Sequence, residues 1–199
     1  MSIKEKINIV YIDDEREEAI SAYLEDYYQN DKYVIEYEEI KFIGEKGYES
    51  LLESPIVASA NVILIDSKLF ENDSIKHSGK FSGEEFRMIL RKVFPFIEVL
   101  VISQNGENKE YDIIPKYRSG SSEIEMEYYG RVLKSKLDEC IGKVITFRKI
   151  SRKLESNKGI EKFLIEKALD SLNGINNYED LAKEDIDRLI TAFQKIEQE

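Results

Sequence analysis

The chain has 199 residues, 42% of them hydrophobic, which is enough apolar material for one domain of ordinary size with an appendage. A net charge of −11 repels nucleic acid phosphates and anionic membranes, and no apolar run approaches the ~20 residues of a membrane span. One cysteine, Cys140, and one histidine, His77, exclude an internal disulfide and a Cys/His zinc site.

In chain order, residues 7 to 12 (INIVYI) read as a short strand ending at the acids Asp13 and Asp14. DEREEAISAYLEDYY places Ala19, Ile20, Tyr23, Leu24 and Tyr27 at helical spacing. Residues 33 to 40 (YVIEYEEI) are β-branched and aromatic and read as a second strand. GEKGYESLLES reads as a short helix stopped by Pro55. A third strand, Val62 to Ile65, has no polar face and ends at Asp66. Residues 82 to 94 form a helix with Phe86, Ile89, Leu90 and Val93 on one face. IEVLVIS (97 to 103) is a fourth strand, and EYDIIPK (110 to 116) a short fifth.

Continuous apolar strands alternating with helices imply a parallel sheet covered on both faces. In such sheets ligands collect beyond the carboxyl ends of the strands, where Asp13, Asp14 and Asp66 lie. Carboxylates crowded together repel one another, and a divalent cation such as Mg²⁺ resolves the repulsion. Each acid also has a plainer use: Asp13 or Asp14 as a helix cap, Asp66 as a solvated strand end.

Beyond residue 120 the chain reads as all helix. Ser122 and Glu125 have capping-box spacing. Leu133, Leu137, Cys140, Val144, Phe147 and Leu154 form a heptad seam interrupted by Ser151. Ile124, Tyr128, Ile141 and Ile145 form a neighbouring stripe. A helix of about 33 residues is about 50 Å long, and its two stripes call for cover by other helices, the neighbouring stripe from residues 160 to 197 and the seam from a second copy in a homodimer. Two shorter helices are expected at 160 to 172 and 184 to 197. Cys140 reads as a small core residue. The basic run FRKISRK (147 to 153) reads as a solvated face, and His77 as an exposed loop residue.

The pieces VYIDDE, VILIDSK, SGEEFRMILRKVFPFIEVLVIS and IIPK resemble a response-regulator receiver domain of two-component signalling. The resemblance covers residues 7 to about 116. It implies a five-stranded, parallel, doubly wound, flavodoxin-like sheet over residues 1–120, with a C-terminal all-helical output or dimerisation region over 121–199. It further implies that Asp13 and Asp14 bind Mg²⁺ together with Asp66 and the backbone carbonyl of Lys68. Asp66 would be the phosphoacceptor, Ser103 the hydroxyl that contacts the phosphoryl group, and Lys116 its basic partner, with Lys109 as the alternative lysine. The implied protein is cytoplasmic and not an enzyme beyond slow self-catalysed phosphotransfer and dephosphorylation. Its implied partners are a histidine kinase or other phosphodonor and a downstream protein, without nucleic acid or membrane.

The chain departs from the family pattern in its outer parts. Residues 67 to 82 make a long connection after Asp66, Gln104 stands where a small residue is usual, and Pro115 precedes rather than follows the lysine. The aromatic switch position falls on Ile113, with Tyr111 nearby. These departures favour, as a second reading, a degenerate receiver that is a protein-binding scaffold and is never phosphorylated. A third reading, a phosphohydrolase with an aspartyl nucleophile, needs a general acid two residues after Asp66, where Lys68 stands.

Overall fold

The computed structural model describes residues 4–70, 82–104, 113–156, 166, 169 and 170. Five parallel strands form one sheet: β1 (Lys6–Asp13), β2 (Val34–Lys41), β3 (Val62–Asp66), β4 (Glu98–Ser103) and β5 (Ile114–Pro115), in the order β2-β1-β3-β4-β5. That order is the doubly wound, flavodoxin-like one, with the chain reversing direction across the sheet between β1 and β3. The helices are α1 (Glu18–Ala22), α2 (Glu49–Leu52), α3 (Pro55–Ser59), α4 (Gly83–Val93) and α5 (Glu125–Glu155). A π-helical turn, Tyr23–Tyr27, continues α1.

Strand alternation divides the core into two layers. Ile7, Ile9 and Tyr11 of β1, with Val62, Leu64, Leu100 and Ile102, pack under α1, the π turn and α5. Val10 and Ile12, with Ile63, Ile65, Val99 and Val101, pack under α2, α3 and α4 through Leu51, Val57, Phe86 and Leu90. Both faces of β3 are therefore buried, which is why it carries no polar residue before Asp66.

Three local expectations are corrected. Pro55 is not only a stop: it is the first residue of α3, where its missing N–H costs nothing and its fixed φ suits the helix. The box at Ser122 and Glu125 does not form. Ile124 is the N-cap of α5 without a side-chain cap, and Ser121 Oγ instead accepts the Glu123 N–H at 3.1 Å. The box does form at α4, where Ser82 and Glu85 exchange bonds of 3.2 and 2.8 Å.

The third correction concerns the seam. Leu133, Leu137, Cys140 and Val144 are buried against the sheet, α1 and the π turn that continues it, a cover that the periodicity did not name. Each such side chain contributes roughly 1.5–3 kcal/mol, so this part of the stripe has cover within the chain, whereas Phe147 and Leu154 are only partly buried. The shared core runs without a break across residue 120. Cys140 is a core residue, as its neighbours require, and burial pushes its thiol up to about 12. The basic run is not a free patch. Arg148 donates to Lys6 O at 2.9 Å and Asn61 Oδ1 at 3.0 Å, and Arg152 donates to Glu5 Oε1 at 2.7 Å. The expected helices at 160 to 172 and 184 to 197, His77, Lys109 and Tyr111 lie outside the described residues, apart from 166, 169 and 170. Among the described residues no helix is long and apolar enough to cross a membrane.

Candidate phosphoacceptor and metal site

The parallel sheet brings Asp13, Asp66 and Ser103 to one edge because each ends its strand. Lys116 follows β5 and extends the ladder, its N–H donating to Ser103 O at 2.8 Å. The four residues are 3 to 7% exposed. Asp14, partly exposed, completes a triad with Asp13 and Asp66, in which one carboxylate oxygen of each lies within 4.8 Å of the others.

Lys116 lies among the acids. Its Nζ is 2.8 Å from Asp66 Oδ1, 3.2 Å from Asp13 Oδ2 and 3.1 Å from Glu17 Oε2. Burial alone would lower the lysine's pKa, but Asp66 first, then Asp13 and Glu17, raise it above the ordinary value, so it is an ammonium. Asp13 is shifted upward because burial disfavours its charge more than the Tyr11 hydroxyl and Lys116 favour it; Asp66 adds to the rise.

Each acid is held by a specific donor. The Tyr11 hydroxyl donates to Asp13 Oδ2, and the Glu15 N–H lies 3.1 Å from both Asp13 Oδ1 and Asp14 Oδ1. The Lys68 N–H donates to Asp66 Oδ2 at 2.7 Å, fixing the carboxylate and bringing residue 68 to the rim. The N-terminus of α4 also presses on Asp66: a Cβ at Gly83 would lie 2.4 Å from the Asp66 carbonyl oxygen.

Two features were not expected from the sequence. Glu17 is a further acid on Lys116, and its Oε1 accepts from the Tyr129 hydroxyl at 2.7 Å. Tyr11 reads as an apolar strand residue, yet its hydroxyl reaches the site. A tyrosine in a strand buried on both faces must find an acceptor, and that was the available signal for Tyr11. Glu17 carried none, because its partners lie 99 and 112 positions away.

The donor set suits a hard divalent cation. All the converging atoms are carboxylate oxygens, and the octahedral Mg²⁺ shell places ligand oxygens about 3.0 to 4.2 Å apart.

No protein-family model matches the chain, and no curated protein matches it. Among solved structures, the chain is similar to the crystal structure of a two component transcriptional regulator AraC from Clostridium phytofermentans ISDg. Identity is 19%, the match covers 72% of this chain and 98% of that one, and the TM-score is 0.42.

Proposed function

We propose that the protein is a phosphoacceptor receiver that takes a phosphoryl group on Asp66. The observation that carries this reading is the convergence of the Asp13, Asp14 and Asp66 carboxylates, with the Lys116 ammonium 2.8 Å from Asp66, at the carboxyl edge of a doubly wound sheet. Phosphoryl transfer is mainly positioning and charge neutralisation, and these residues provide both.

In this reading an Asp66 carboxylate oxygen attacks the phosphorus of a phosphohistidine or a small acyl phosphate. The new P–O bond forms as the bond to the donor breaks, and the departing group keeps the electron pair: an acyl phosphate leaves as its carboxylate, and a phosphohistidine with a protonated ring leaves as neutral imidazole. Asp13, Asp14, Asp66 and the Lys68 carbonyl would hold Mg²⁺, which would supply charge neutralisation at the incoming phosphoryl oxygens. Lys116 pairs with the phosphoryl group, and Ser103 contacts it from the end of β4. Lys68 N–H keeps the nucleophile oriented, and Tyr11 keeps Asp13 oriented. The protein turns over no external substrate. It acts in the cytoplasm on a downstream protein, and its C-terminal helices carry the output.

The test is incubation with a small acyl phosphate and Mg²⁺. Wild-type protein gains one hydroxylamine-labile phosphoryl group by mass, and Asp66→Asn gains none. A gain that persists in Asp66→Asn overturns the assignment. Protein that binds Mg²⁺ but never gains the group is the unphosphorylated scaffold instead.

A further inference from the structure

We infer that Glu17 is the group displaced when Asp66 is modified, and that Tyr129 passes this displacement to α5. The inference rests on the receiver reading above and deepens it by naming the coupling residues.

The argument starts from donor counting. A lysine ammonium has three N–H donors and no acceptor. Lys116 Nζ has three carboxylate partners at 2.8 to 3.2 Å, Asp66, Glu17 and Asp13, so its donors are saturated. A phosphoryl group on Asp66 adds acceptor oxygens and raises the local charge to about −1.5 to −2. Lys116 can engage them only by giving up a present partner.

The three partners are not equally free to leave. Asp66 carries the new group. Asp13 is pinned by the Tyr11 hydroxyl and the Glu15 N–H, and its side chain is 4% exposed. The Glu17 side chain is 24% exposed and has water to turn toward. Glu17 also precedes α1 without using its side chain as a helix cap, so its carboxylate can move without uncapping the helix. Added negative charge nearby repels it outward as well.

Glu17 does not leave alone. Its other oxygen accepts from the hydroxyl of Tyr129, whose side chain is fully buried in the second turn of α5. The same hydroxyl accepts the Tyr117 N–H at 3.1 Å, one residue after Lys116. Two further tyrosines tie the start of α5 to this strand end. Tyr128 donates to Pro115 O at 2.9 Å, and Tyr117 donates to Glu123 O at 2.9 Å. A buried hydroxyl that loses its acceptor must move or find another. The charge state of Asp66 is thereby linked to the position of the first turns of α5, and the linkage is reciprocal.

The experiment uses the full chain, Mg²⁺ and beryllofluoride as the phosphoryl analogue, read by amide NMR and titration. Wild-type protein shifts the Asp66, Lys68 and Tyr117 amides together, with the Tyr129 ring. Shifts at Asp66 and Lys68 without Tyr117 and Tyr129 overturn the coupling and leave the receiver reading standing. No shift anywhere overturns both. Glu17→Gln binds the analogue at least about fivefold more tightly, the low end of measured couplings, because the competitor for Lys116 is weakened. Tyr129→Phe, which changes no charge, tightens it at least about twofold, and adds nothing in the Glu17→Gln background. Tightening in Glu17→Gln with none in Tyr129→Phe indicates bulk electrostatics and overturns the role of Tyr129.

Discussion

The two ends of the sheet each hold an ion cluster built by residues distant in sequence, and the clusters differ in kind. At the amino edge Arg148 and Arg152 share Glu5, with Asn61 Oδ1 and Lys6 O taking the remaining contacts. Their side chains are 31 to 60% exposed, and cations outnumber the anion they share. A cavity of about 400 Å³, lined by Phe96, Phe147 and Arg148 among others, opens beside them. At the carboxyl edge one buried ammonium meets three carboxylates, with Asp14 beside them as a fourth. The proposed phosphoacceptor site lies at this edge and not at the cavity. An exposed cluster whose unmatched charge is left to solvent staples the chain, whereas a buried cluster left with excess negative charge calls for a cation from outside.

The largest test of this contrast removes the buried ammonium. Lys116→Met is expected to destabilise the protein by about 3 kcal/mol at pH 7 in chelator, because buried carboxylates lose their counter-ion. Millimolar Mg²⁺ should restore part of that loss, as denaturant titration will show. If Mg²⁺ restores nothing, the excess charge is not a metal site.

Asp14→Asn should weaken Mg²⁺ binding at least about tenfold by calorimetry, a change of about 1.4 kcal/mol, while leaving the fold intact. Undiminished affinity would remove Asp14 from the shell.

Asp13 gives a pH signature. Its pKa is raised in the folded protein, chiefly by burial, so the folded state binds its proton more readily than the unfolded state. The contribution of this group to stability is therefore full below the unfolded carboxyl range and is lost as pH rises through the folded value. Asp13→Asn keeps an acceptor for Tyr11 and escapes that loss. In chelator the variant should match wild type near pH 4 and exceed it by about 1 kcal/mol at pH 7. A constant difference across that range would contradict the assignment.

The smallest effect belongs to the amino edge. Arg152→Ala should cost no more than about 0.5 kcal/mol, less in high salt, as exposed pairs do, and should leave Mg²⁺ affinity unchanged.

How much was readable in advance follows from the range over which each signal acts. Strands β1, β3 and β4 were legible because both of their faces are buried and the apolar run is local. Asp13, Asp14 and Asp66 were legible because strand ends in a parallel sheet share one edge, and Lys116 was indicated only by the resemblance to receiver domains. The seam on α5 was legible as a buried face, but periodicity names a face and not its partner, so cover by the sheet and α1 was not foreseen. Pro55 was ambiguous because the same fixed φ that ends one helix begins another. Glu17, Tyr11 and Tyr129 escaped because their roles depend on hydroxyl and carboxylate contacts that no local pattern encodes.

The clasp at the base of α4 has a consequence for chain length. Gly83 N–H donates to Ser67 O at 2.8 Å, and the Ser67 hydroxyl donates to Glu84 at 2.8 Å. The connection that leaves Asp66 thus returns to its own starting point before α4 begins, and only glycine allows so close a return. Once the ends are pinned, doubling a flexible loop costs only about 0.6 kcal/mol. Changes of length in this connection therefore have to spare both of its ends: Lys68 holds Asp66, Leu69 and Phe70 are buried in the core, and Ser82 caps α4.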